Sequence, residues 1–372
     1  FAPAAEPYHE IITNWQREFQ KEIGKNHAHY FDQNGWLYFT KERFDLLYPS
    51  YGDTYPIYNG SIGMTYEQGG IRAGLGIINE DGDTLTLRAR IAHHLTTSLS
   101  TIEVSSQQQK KLLTAFNQFF EQAVSKGVGT YKSFVIKADA KKQGNLHQLL
   151  ALLDAHGIQY GNGVNGSAKG LNFFSSKEEQ FAITKEDIVV SSLQPNSALL
   201  QVLLEPKTAL TDSATYDITA WSLPYAYGVQ AFALKDKLAA TESFTKPAIT
   251  IAATKYGYAL PWNSLKSAVF AAKLLQKGYK LRYATESFEV NGNTFDPGTV
   301  LVLKTSNEKM GEQLFEKVRE EAMQDQIALV SLQSGMVDKG ADFGSDKVHS
   351  IRTPRVAMLS GEGCSSLSVG EV

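Results

Sequence analysis

Phe134-Val135-Ile136, the run 146–155 and Ile158-Gln159-Tyr160 decide the fold. The first triplet reads as a strand. Residues 146–155 read as a helix stopped at Gly157, and the last triplet as a second strand. A glycine-rich loop at 161–170 follows, with strands near 180–183 and 187–193. The same order returns downstream: a strand at Ile249-Thr250-Ile251, a helix over 264–276 stopped at Gly278, and a strand at 280–283. The turn 294–299 then leads into Val300-Leu301-Val302-Leu303, and 310–322 reads as a helix. Alternating strands and helices argue for α/β layers. The recurrence argues for two related β-α-β units, at 130–205 and 247–335.

Before the first unit the pattern is different. Ile11, Ile12, Trp15 and Phe19 recur at helical spacing, which predicts a helix over 9–23. A second short helix is expected over 39–47, an ordered loop over 48–62, and strands at 61–67 and 73–79. Thr84 is a candidate N-cap for a helix reaching about 104, with Leu87, Ile91, Leu95, Leu99 and Ile102 as its core-facing stripe. A further helix, 106–126, aligns Leu112, Leu113, Phe116, Phe120, Ala123 and Val124 on the face expected to dock on a core, and Gly127 ends it. At the far end, Val356-Ala357-Met358-Leu359 and Ser360-Gly361-Glu362-Gly363 read as the first strand and turn of another α/β domain, so the chain is expected to be part of a longer protein.

The chain has 372 residues, of which 42% are hydrophobic and 20% charged, enough for two or three domains. Its net charge of −3 offers no basic field for nucleic acid or an anionic membrane. No apolar run approaches the roughly 20 residues of a membrane span. One cysteine, Cys364, excludes an internal disulfide framework, and it reads as a small structural residue. The loop 161–166 lacks the Lys-Ser/Thr of a phosphate loop and reads as a flexible surface loop. The aromatic run 216–225 reads as core packing, or else as a domain interface or a peptide- or sugar-facing surface.

Gly63-Met64-Thr65-Tyr66-Glu67-Gln68 carries the chemistry. A carboxylate at a strand end is stiffly mounted and can serve as a general base; it can equally be a solvent-facing edge glutamate. On a strand, His27 and His29 would share a face, and with Asp32 they would make a formal zinc set, although a solvated polar patch is the stronger reading. Adjacent His93 and His94 diverge on a helix and read as structural.

Tyr51-Gly52-Asp53, Tyr55-Pro56-Ile57-Tyr58-Asn59-Gly60-Ser61 and Met64-Thr65-Tyr66-Glu67-Gln68, followed by a long helix from Thr84, resemble the end of the catalytic domain of M14 zinc carboxypeptidases. The resemblance is to the large bacterial type, in which α/β modules follow that domain. It implies an α/β chain: the C-terminal part of an M14-like mixed sheet at 1–105, a linking helix and first α/β module at 106–245, a second α/β module at 246–353, and the start of a glutamine-amidotransferase-like domain at 354–372. It implies that Glu67 is the general base and that Tyr58, with Tyr55 and Tyr51 as rivals, is the loop tyrosine meeting a peptide substrate. It further implies zinc as the parent protein's cofactor and a periplasmic or extracellular location. The family holds zinc through a His-x-x-Glu pair and a later histidine. None of His9, His27, His29, His93, His94, His147, His156 and His349 has a glutamate three residues on. The metal ligands are therefore expected upstream of Phe1, and the chain alone is expected to be inactive. A non-catalytic binding or structural module, and an unrelated α/β enzyme with its site between the two repeats, are the competing readings.

Overall fold

The computed structural model describes residues 1–69, 74–139, 142–211, 215–216, 221–241, 243–244, 249–365 and 370. The fold is mixed α/β, and the chain separates into two compact units. One comprises Phe1–Asp139 and Leu146–Thr245, the other Ala140–Asn145 and Lys246–Val372.

The first unit opens with helix α1 (Asn14–Gln33). Thr13 and Gln16 close a reciprocal capping box at its start. It runs past the predicted end because Phe19, Ile23, His27 and Phe31 extend one buried stripe at i, i+4 spacing. Then come α2 (Thr54–Tyr58), the antiparallel ribbon β1 (Gly76–Ile78) and β2 (Thr84–Thr86), α3 (Leu87–Gln107) and α4 (Gln109–Lys126). Thr86, not Thr84, caps α3, since Thr84 is used in the ribbon. Gly127, at φ +66°, ends α4 as expected.

The stripe of α3 is inverted relative to expectation. Its buried residues are Thr97, Ser100 and Val104. Asn26 and His27 of α1 bond Ser100 Oγ at 2.9 and 2.8 Å, and Tyr30 donates to Glu103 at 2.9 Å. The polar face of α3 thus finds partners on α1, and Leu87, Ile91, Leu95, Leu99 and Ile102 are left 40–64% exposed. Likewise, Ala123 is the one buried residue of α4, while Leu113, Phe116 and Val124 are exposed.

The rest of this unit is a six-stranded antiparallel sheet in the order β4-β7-β3-β8-β5-β6. Its parts are β3 (Ser133–Ile136), α5 (Gln143–Ala155), β4 (Gly161–Asn162), β5 (Gly166–Asn172), β6 (Glu178–Ile183), β7 (Ile188–Ser191), α6 (Ser197–Leu204), α7 (Leu223–Ala226) and β8 (Ala231–Leu234). The second unit contains β9 (Gly257–Leu260), α8 (Leu265–Gln276), β10 (Arg282–Ala284), the ribbon β11 (Phe288–Val290) and β12 (Asn293–Phe295), β13 (Val300–Leu303), α9 (Leu314–Gln324), β14 (Val330–Leu332) and β15 (Val348–Ser350). Its main sheet runs β14-β9-β13-β10-β15.

The recurrence seen in the sequence is a recurrence of topology. β3 and β4 each pair antiparallel with β7 between them, and β9 and β10 each pair antiparallel with β13 between them. Each is a split β-α-β unit, completed by a last strand (β8 or β14) beside the first. Helices cover one face, with Leu149, Leu153 and Leu200 against Phe134 in the first unit and Phe270, Leu274 and Val318 against Val302 in the second. The opposite faces are filled by Phe181 stacked on Phe232 at 3.8 Å, and by Phe288 and Phe295 around Leu301. Burial on both faces explains the nearly unbroken apolar triplets.

Five predicted elements are absent. No helix forms over 39–47, which makes a single bridge, Leu46 to Tyr8. The strands expected at 61–67, 158–160, 249–251 and 356–359 are extended or irregular backbone without a ladder partner. The strands used instead are Gly161–Asn162 and Gly257–Leu260, and Val356 and Leu359 are 85% and 84% exposed. Residues 161–166 are no flexible loop: Gly163 N donates to Asp187 O at 2.8 Å and Asn162 N to Thr241 Oγ1 at 2.8 Å. Of the run 216–225, residues 217–220 lie outside the described residues; Trp221 packs on the core and donates from Nε1 to Val202 O at 2.9 Å, whereas Tyr216 and Tyr225 are 55% and 41% exposed, so the run is only partly core.

A buried pair ties the amino-terminal segment to the end of α6. His9 Nε2 meets Glu205 Oε1 at 2.7 Å, the two residues being 0% and 3% exposed. His9 Nδ1 accepts from Ile11 N at 3.2 Å, so Nε2 carries the proton that Glu205 receives.

Candidate active site

Residues 61–69 cross the surface between α1 and α3 without forming a strand, yet their positions are over-determined. Gln16 Nε2 donates to Ser61 O at 2.8 Å and Gln20 Nε2 to Gly63 O at 2.7 Å. Thr65 Oγ1 donates to Asp53 Oδ2 at 2.5 Å, Tyr66 shares a 2.6 Å bond with Thr101 of α3, and Gln68 Oε1 meets His93 Nδ1 at 2.6 Å. Gly63 is required by close approach: a Cβ there would lie 1.7 Å from the Asp53 carbonyl oxygen.

Glu67 stands among these tethered neighbours with no hydrogen-bond or ion-pair partner among the described residues, and it is exposed. It lines two clefts. One, a shallow cleft, also has Gln20, Glu42, Asp53 and Gly63 in its walls. The other has Phe31, Tyr66, His93 and His94. Glu67 therefore occupies a ridge between two concavities, held by its neighbours and free at its carboxylate. An accessible carboxylate can accept a proton, but no hydrogen bond among the described residues orients this one.

The second cleft's histidine has a defined tautomer. Gln68 Oε1 can only accept, so His93 Nδ1 carries a proton and Nε2 is the open position of the neutral ring. The ring lies 4.4 Å from Trp36 and 5.5 Å from Phe31. Burial, with His94 beside it, lowers its pKa. Below it, His27 is fully buried, its Nε2 has no partner, and burial and the Phe1 ammonium lower its pKa to about 4. Gln20 Oε1 is a second orphan, on a residue 1% exposed. Such unpartnered atoms each cost about 1–3 kcal/mol.

The tyrosines separate clearly. Tyr58 is 1% exposed, donates to Leu47 O at 2.9 Å and faces His9 edge-on at 5.5 Å. Burial drives its pKa far upward. It is a core residue here and the structure does not bring it to Glu67. Tyr55 is 36% exposed and bonds His156 Nδ1 at 2.9 Å, and it too lines neither Glu67 cleft. Tyr51 lines a neighbouring cleft with Asp53, Met64 and Thr65.

Zinc does not fit the chain's own residues. Among the described residues no three His, Cys, Asp or Glu side chains converge for a metal ion. His27 and His29 lie on helix α1, not on a strand, so they diverge: His27 is buried against Ser100, and His29 is exposed and meets Gln33 at 3.0 Å. Gln20, Glu42 and Asp53 are the site residues that sequence reasoning missed. Nothing local marks them, because they reach the site from 14 to 47 positions away. Compared with family models, with curated proteins and with solved structures, the chain matches none.

Proposed function

We propose that the chain is the carboxy-terminal part of a zinc-dependent metallocarboxypeptidase-like hydrolase acting on peptide bonds, with Glu67 as its general base. The observation that carries the reading is the carboxylate itself: free, exposed and on a ridge between two clefts, in a segment held through Ser61, Gly63, Thr65, Tyr66 and Gln68. A carboxylate so placed can take a proton from a nucleophile and hand it to the departing amine. The described residues bring together no metal-binding group, and on this reading the metal is held by residues outside the chain. The exposed apolar stripe of α3 is then the seat of the rest of that domain. The parent works in the periplasm or outside the cell, as the M14 resemblance implies.

The test is the complete reading frame and its product. A His-x-x-Glu pair and a later isolated histidine upstream of Phe1, with peptide hydrolysis by the full product and none by the 372-residue chain, is the expected result. Hydrolysis by the 372-residue chain that Glu67→Gln abolishes, or a frame that begins near Phe1, would contradict it. In the latter case a non-catalytic binding or structural module becomes the better reading.

A further inference from the structure

The side chains of the Glu67 segment alternate. Ile62 and Met64 pack with Phe19 and Ile23 of α1 and Val104 of α3. Tyr66 bonds Thr101 and Gln68 bonds His93, each at 2.6 Å, and both partners lie on α3. The residues between them turn the other way: a Cβ on Gly63 would meet the Asp53 carbonyl, and Thr65 donates to the Asp53 carboxylate. This is the period of two of a strand, kept here without a ladder. Glu67 belongs to the set of Gly63 and Thr65. Its neighbours on either side, Tyr66 and Gln68, are each fastened to α3, about two turns apart.

Both fastenings are directional. Thr101 Oγ1 donates to Thr97 O at 2.8 Å, so it accepts from the Tyr66 hydroxyl. His93 donates from Nδ1 to Gln68 Oε1, and its half-buried ring lies 4.4 Å from Trp36 and 5.5 Å from Phe31, which hold it in place. The Glu67 carboxylate has no such bond, so the direction in which its side chain leaves the backbone depends on the residues beside it. We propose that His93 is a positioning residue for Glu67: by holding Gln68 on α3, opposite the hold of Thr101 on Tyr66, it sets Glu67 on the face of Thr65 and Asp53 and leaves the carboxylate free. What Glu67 does there rests on the peptidase reading; how it is held rests on the packing alone.

Two substitutions separate this hold from packing. His93→Leu keeps apolar bulk against Trp36 and Phe31 and removes the donor. His93→Asn loses the ring and keeps an amide N–H where Nδ1 stood. Backbone ¹⁵N relaxation of the 372-residue chain reads the outcome without any activity. The Glu67 and Gln68 amides are expected at an order parameter of about 0.85 in the unaltered chain and in His93→Asn, and below about 0.6 in His93→Leu. Greater mobility in His93→Asn than in His93→Leu, or no change in either, overturns the assignment. In the full-length product, His93→Leu should lower kcat about tenfold with KM unchanged, and His93→Asn should restore most of it. With Glu67→Gln already in place, His93→Leu should cost nothing more; a further loss would show that it does not act through Glu67 and would overturn the proposal. Amides that respond as expected, in a full-length product that hydrolyses no peptide, would sink the peptidase reading and leave the hold on residues 66–68 standing.

Discussion

Lowering the pH should loosen the first unit through one side chain, His27. The ring is fully buried on α1, edge-on to Phe1 at 5.2 Å and to Tyr66 at 4.9 Å. Nδ1 is satisfied by Ser100 Oγ, and Nε2 has no acceptor to receive a second proton. Its pKa falls from the ordinary 6.5 to about 4 in the folded protein. The unfolded chain then binds more protons than the folded one between those values. The stability tied to neutral His27 is fully present above about 6.5 and is lost as pH falls toward 4. At about 1.4 kcal/mol per pH unit, the loss reaches about 3 kcal/mol. Urea unfolding of the chain and of His27→Gln, measured from pH 7.5 to 4, isolates this contribution from the carboxylates that titrate in the same range. The variant's profile should be flatter by about 3 kcal/mol, and the His27 ring protons should titrate by NMR near pH 4. Parallel profiles together with a His27 midpoint near 6.5 would refute the reasoning.

Three further outcomes follow from the packing. Gly63→Ala should cost about 1–3 kcal/mol, because the added methyl meets the Asp53 carbonyl, and it should shift the amide resonances of residues 63–68; an unchanged melting temperature would contradict the close approach. Ile91→Ser with Leu95→Ser should change stability by no more than about 0.5 kcal/mol in thermal melts, since both side chains are more than half exposed; a loss of several kcal/mol would restore them to a core. His9→Leu should cost about 3–5 kcal/mol in urea unfolding by stranding the buried Glu205 side chain, which Thr208 would then serve; a neutral result would contradict the pairing as a source of stability.

How much of this was legible in the residues depends on range. The long helices at 87–107 and 109–126 and the duplicated strand–helix order are written in local periodicity and in stops such as Gly127, Gly157 and Gly278. The face that α3 would bury was not legible. Its apolar stripe is the stronger pattern, but α1 offers it His27, Asn26 and Tyr30, and these take the polar side. Strand existence failed wherever it depended on a neighbour: Ile249-Thr250-Ile251 has strand composition and no ladder, whereas Gly257–Leu260 is paired on both edges. At the site, Glu67 was visible as an isolated carboxylate, but Gln20, Glu42 and Asp53 are brought to it by tertiary structure alone. Tyr58 misled because a loop tyrosine beside Asn59-Gly60 looks accessible, while its neighbours Ile57 and Leu47 enclose it.

Glu67→Gln in the full-length product, with peptide turnover and bound zinc measured on the same sample, tests the assignment of the general base most directly. Turnover lowered about 10²–10⁴-fold with zinc content unchanged is the result expected of a proton acceptor. Unaltered turnover, or loss of the metal together with activity, would contradict it.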